Sequence, residues 1–204
     1  MKTKILFLAV LVVAIVLTGL GCSKAEIVPK EYQGINFPLG DLSFADEVVE
    51  FEIASNVDGE YRNDSRITNP PQDEDFSLGN AADECQYYVT IKFTDNYLID
   101  VEGDDLYIFE NGPQVEATQV FISEKGNDWI DLGRIEGSTR EVDIKDKADE
   151  GTKYRYVKLC DYPDGDTSPA PFPGPDLDAV GAIGADTRCE TIWDCAIDSV
   201  SDLF

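Results

Sequence analysis

The 204-residue chain contains no histidine, and it has only 16 Lys and Arg against 41 Asp and Glu. Without imidazole there is no His-based catalytic triad and no His-ligated zinc. The scarcity of cations leaves a formal net charge of −25. That argues against DNA or RNA as a partner, because such binding relies on clustered Lys and Arg neutralising phosphates. No P-loop, dinucleotide fingerprint or Gly-x-Ser-x-Gly elbow occurs. The five cysteines form no paired Cys-x-x-Cys knuckles. What is present suits one domain of moderate size, because a hydrophobic content of 43% can build a sizeable core.

The N-terminus reads as an address. Lys2 and Lys4 precede thirteen apolar residues, Ile5 to Leu17, and small residues follow up to Cys22. That is the layout of a secretory signal and is short for a membrane span. Gly21 directly before Cys22 resembles the lipobox of bacterial lipoproteins, whose cysteine is lipidated. The resemblance implies a membrane-anchored lipoprotein, at the cell surface or in the periplasm. Ser23 carries no signal for retention at an inner membrane. The competing reading leaves Cys22 as a free thiol, a liability in an oxidising compartment. Cleavage after Gly21 leaves 14 basic and 41 acidic residues, with 25 Asp against 16 Glu. Either the surface is adapted to salt, or part of the excess coordinates Ca²⁺, a hard cation with several oxygen ligands.

Residues 23–45 mix Pro, Gly and charge without periodicity and are expected to form a tether. From Val48 the pattern becomes strand-like. Val49, Phe51 and Ile53 alternate with Glu50 and Glu52, and Tyr87, Val89, Ile91 and Phe93 share one face. Asp105 to Glu110 is apolar on both faces and is expected at the centre of a sheet. Short strands follow over 117–123, 129–135, 140–144 and 154–160, with a last core strand over 177–183. Two long loops interrupt the series: 55–84, and 161–176 with five of the ten prolines. Loops of that length often bind something. About eight short strands at intervals of about 8–12 residues predict an all-β, antiparallel β-sandwich over residues 46–185. Residues 186–204 form a cysteine-bearing tail in which Ile192, Trp193, Ala196, Ile197 and Val200 suit a short helix.

Cys85, Cys160, Cys189 and Cys195 are an even number in an exported chain and read as two disulfides, with three possible pairings. A local Cys189–Cys195 bridge would leave Cys85 to join Cys160. A four-thiolate metal site is the rival.

Three blocks carry a family resemblance: Ser77–Leu78–Gly79; FTDNYLIDVEGDDLYIFENG from Phe93 to Gly112; and PGPDLDAVGAIGA from Pro173 to Ala185. Val120–Phe121–Ile122–Ser123 with Gly126 and Trp129, then Tyr154 to Leu159 with Asp161, fall between the last two in order. The arrangement is similar to a discoidin-like jelly-roll module of bacterial cell-surface proteins, found alone or before OmpA-like domains. The resemblance spans roughly Val48 to Ala185. It implies a jelly roll with bound Ca²⁺ and a binding rather than catalytic role, toward a carbohydrate or a surface partner.

Within these blocks Asp95, Asp100, Asp104, Asp105 and Glu110 crowd around turns, and Asp176 and Asp178 lie two apart. Oxygens gathered from separate strand ends are what a Ca²⁺ site requires, and Asp95, Asp100, Asp105, Asp176 and Asp178 are the expected ligands. Alternatively the same acids cap turns. Tyr61, Phe76, Tyr162 and Phe172, on the two long loops, are the aromatic side chains expected to meet a sugar face; the equal alternative is that they anchor their own loops. Acid pairs could in principle hydrolyse glycosides, but in so acidic a chain some pair falls at any chosen distance. The reading is therefore a binder, with a structural envelope subunit as the alternative.

Overall fold

The computed structural model describes residues 27–112, 115–137, 140–163, 171 and 173–188. Cys22, Phe172, Cys189, Cys195, the expected signal segment and the expected tail helix lie outside them. Thirteen strands follow in chain order: β1 (Lys30–Tyr32), β2 (Ile35–Phe37), β3 (Glu47–Glu52), β4 (Phe76–Ser77), β5 (Tyr88–Lys92), β6 (Asn96–Leu98) and β7 (Leu106–Glu110). Then come β8 (Val115–Ser123), β9 (Ile130–Gly137), β10 (Glu141–Val142), β11 (Tyr156–Asp161), β12 (Asp176–Ala182) and β13 (Ala185–Thr187). The helical turns among the described residues are short 3₁₀ pieces of three or four residues.

Two antiparallel sheets carry the fold, ordered β10-β7-β12-β4 and β3-β5-β11-β8-β9. The pairings β4–β12, β5–β11, β7–β10 and β8–β9 are those of one long hairpin. The additional pairs β7–β12 and β8–β11 roll that hairpin into two facing layers. This is jelly-roll connectivity, with β3 added at one edge. The fold is an all-β sandwich, as the strand spacing predicts, with more strands than eight because β1, β2, β6 and β13 form two small ribbons beside it.

Alternation explains the main core. Val89, Ile91 and Phe93 point inward to meet Val120, Ile122, Val157 and Leu159 of the same sheet and Leu106, Ile108 and Val180 of the other. β7 is buried along its whole length because its odd face also has a cover. Tyr107 and Phe109 pack with Phe37, Phe44 and Ala179 in a second, aromatic cluster outside the four-stranded sheet. Gly181 is required there, since a Cβ on it would lie 2.5 Å from the Phe37 ring.

Two expectations need correction. Residues 30–45 are not a tether: the β1–β2 hairpin and the turn Gly40–Ser43 bring Phe37, Phe44 and Ala45 to complete burial. Tyr32, Ile35, Phe37, Leu39, Leu42 and Phe44 follow no single period, which hides this when they are read without a partner sheet. In β3 the register shifts between Val48 and Glu50. Val48 packs on the core, whereas Val49 (47% exposed) and Phe51 (38% exposed) do not follow the simple alternation. A bulge adds one residue and switches the facing side chains.

Candidate metal centre

The acids predicted to share one site are distributed over three places. The geometry of β7 and β12 separates them: Leu106 pairs with Ala182 at one end and Glu110 with Leu177 at the other. Asp105 precedes the first end, and Asp176 and Asp178 lie at the second. Four strand steps of about 3.4 Å place these ends roughly 14 Å apart, so a single ion cannot join them. Asp95 and Asp100 flank the short β6 and are likewise apart.

One group survives and gains a member. Asp100, Asp105 and Asp143 each place a carboxylate oxygen within 4.8 Å of the others. Asp105 is completely buried, and its position is fixed from two sides. Its Oδ1 accepts the Val101 N–H at 2.7 Å and its Oδ2 accepts the Ile144 N–H at 2.9 Å. Its backbone carbonyl also accepts the N–H groups of Ile183 and Gly184. Gly184 permits this approach, because a Cβ there would sit 2.2 Å from the Ile99 carbonyl oxygen and 2.7 Å from Asp105 Oδ1. Asp143 arrives because Leu106 pairs with Val142, which makes Asp143 the neighbour of Asp105 on the next rung. Asp143 is exposed and Asp100 half-buried, so the group opens to solvent on one side. Burial pushes the Asp105 carboxyl above the ordinary carboxylate range, and the charges of Asp100 and Asp143 push it further. Sequence reasoning missed Asp143, which lies 38 residues from Asp105; only the β7–β10 pairing brings it close.

The donor chemistry suits a hard cation. Three carboxylates with no imidazole or thiolate among them could hold a hard, oxygen-seeking cation.

Asp176 and Asp178 do other work. Asp178 sits in the β12 bulge at 1% exposure. It accepts the N–H groups of Gln72, Asp73 and Glu74, each at 3.1 Å. Asp176 is hydrogen-bonded to the Ser77 hydroxyl, and burial raises its carboxyl to about 7. Across the rung, Glu110 is 6% exposed; its Oε1 accepts the Glu116 N–H and its Oε2 has no partner. Burial drives the Glu110 carboxyl to about 8, opposed in part by that N–H. Asp95 reaches about 7, through burial first and then the charge of Asp46. Beside it Asn96 is completely buried, with neither side-chain polar atom partnered.

The aromatic candidates also separate. Phe76 is a core residue at 0% exposure, packed edge-on against Phe51, and cannot meet a ligand. Tyr61 carries Arg66 over its ring at 5.5 Å, and Tyr162 carries Arg134 at 4.6 Å. On the outer face of the five-stranded sheet, Lys158 lies 4.6 Å from the Tyr88 ring centre and 4.9 Å from that of Trp129. Of the cysteines, Cys85 and Cys160 are bonded to each other, joining the start of the β5 region to the end of β11.

Comparison with family models, with curated proteins and with solved structures finds no match for this chain.

Proposed function

We propose that this protein is an exported lipoprotein, anchored through Cys22, whose jelly-roll domain holds Ca²⁺ and binds a glycan or a surface partner outside the cell. The observation that carries the reading is the convergence of Asp100, Asp105 and Asp143 at one rim of the sandwich. Three carboxylates within 4.8 Å of one another repel, and a bound cation would relieve that repulsion. Asp105 cannot relax away, because two loops hydrogen-bond to it. A bound cation would cross-link the loop after β6, the start of β7 and the end of β10, and so fix the rim on which a ligand would rest. The binding reading also accords with the absence of His and of recognisable nucleophile motifs.

The test has two arms. Chelation with EDTA should lower the melting temperature of the purified protein, and added Ca²⁺ should restore it. A melting temperature indifferent to both would remove the calcium centre. Cys22→Ser should move the protein from the membrane fraction to the soluble exported fraction; continued membrane association would remove the lipid anchor.

A further inference from the structure

Residues 30–45 form a strap rather than a tether. β1, β2 and the turn Gly40–Ser43 lie outside the four-stranded sheet, where Phe37 and Phe44 pack with Tyr107, Phe109 and Ala179. Tyr32 joins them edge-on, its ring centre 5.0 Å from that of Phe44. The chain is seated as early as Val28, whose carbonyl oxygen would lie 2.5 Å from a Cβ on Gly40. Val28 therefore stands against the strap, and it is where the leash from the expected anchor begins.

That leash is short. Five residues, 23–27, separate Cys22 from Val28. Six Cα steps reach at most about 21 Å, whereas a tether running to residue 45 would reach about 80 Å. The sandwich is thicker than the leash is long. Stacked β layers lie about 10 Å apart, so the five-stranded sheet is roughly 20 Å from the strap and its outward side chains are further still. A leash fixed on the strap cannot pass through the sheets and must run round their edge. The outer face of the five-stranded sheet therefore cannot lie on the bilayer that holds Cys22.

Charge does not hold the strap to lipid in place of the leash. Lys30 is paired with Asp41 at 2.9 Å and has Glu31 beside it. A net charge of −25 repels an anionic surface. At the start of the strap, Val28 is 65% exposed, the most of any large hydrophobic side chain among the described residues.

We propose that the strap face is the membrane-facing side of this protein, its occupant the lipid surface that holds Cys22, with the outer face of the five-stranded sheet turned away from the bilayer. The inference rests on the reading of Cys22 as a lipid anchor. It adds that a partner is met close to the membrane and not at the end of a long tether.

The experiment places the isotope-labelled mature lipoprotein in phosphatidylcholine nanodiscs doped with a gadolinium-chelating lipid and reads paramagnetic broadening of backbone amides by NMR. Thr90, Phe121 and Lys158 share one rung of the five-stranded sheet. The amides of Tyr32, Gly34 and Asp41 should relax roughly tenfold or more faster than those three, which stand two layers of about 10 Å farther from the lipid. Inserting about twenty Gly and Ser residues after Ser23 should shrink that difference, because a flexible linker lets the domain leave the surface and turn. Equal broadening of the two sets in the anchored protein, or stronger broadening of the five-stranded set, overturns the proposal. So does an undiminished difference in the spacer variant, or the same pattern in Cys22→Ser mixed with the nanodiscs, since neither depends on the leash. Wild-type protein found outside the membrane fraction removes the anchor and the proposal together. Anchored protein with equal broadening removes the orientation and leaves the anchor standing.

Discussion

The Gln72 N–H donates to Asp178 Oδ1 at 3.1 Å across 106 residues of sequence. Asp178 thereby pins the loop 55–84 to the bulge of β12, with help from Asp73 and Glu74. Three N–H groups offset the cost of burying a carboxylate, although burial still leaves its carboxyl above the ordinary range.

Asp178→Ala should therefore cost on the order of 2–4 kcal/mol, since it orphans three backbone donors and removes charge-assisted hydrogen bonds. Urea unfolding measures the loss. Protease nicking between residues 70 and 75 should accelerate in the variant. Unchanged unfolding and nicking would mean that the contact is incidental.

The Cys85–Cys160 bridge closes a separation of 75 residues. Restricting an unfolded loop of that size contributes about 4 kcal/mol on chain-entropy grounds, with measured values commonly about 2–4. The double substitution Cys85→Ser, Cys160→Ser should lower unfolding free energy by that amount and keep the β-rich circular dichroism. A loss below about 1 kcal/mol would show that the unfolded chain is already compact there.

Glu110 makes stability depend on pH in an uncommon direction. Its folded-state carboxyl ionises near 8 because it is buried, against about 4.3 for a solvated glutamate. Between about pH 4.5 and 8 the folded state holds a proton that the unfolded state has released. Stability is therefore greatest at the acidic end of that window and falls as pH rises through it, by up to about 1.4 kcal/mol per pH unit for one group. Asp95 and Asp176, each near 7, act with the same sign. Glu110→Gln keeps an acceptor for the Glu116 N–H and removes the buried charge. It should flatten the decline and raise stability at pH 8 by about 1–2 kcal/mol. Unfolding in urea at pH 5 and pH 8, with EDTA present, checks this; an unaltered slope in the variant would assign the pH dependence elsewhere.

How much of this was legible in the sequence follows from how local each signal is. The alternation of Val89, Ile91 and Phe93 and the two-sided apolar character of Leu106 to Glu110 announce core strands, because period and burial are set by neighbouring residues. The roll itself follows once those strands alternate between sheets. The packing of Phe37 and Phe44 needs Tyr107 and Phe109 of a distant strand, and no period within 23–45 reveals it. Asp100 and Asp105 are close in sequence and meet, whereas Asp143 comes through the β7–β10 register. Asp176 and Asp178 look alike on paper; the bulge between Leu177 and Ala179 sends them to different partners.

The proposed calcium centre is tested most directly by calorimetric titration of Ca²⁺ into the chelator-stripped protein and into Asp143→Asn. Asp143 is exposed and, among the described residues, accepts only the nearby Lys145 N–H, so its substitution spares the hydrogen bonds that hold Asp105. The account predicts saturable binding to the wild type, weakened by roughly tenfold or more in Asp143→Asn with little change in the melting temperature of the stripped protein. Binding of equal strength in the two proteins, or no binding to either, would contradict it.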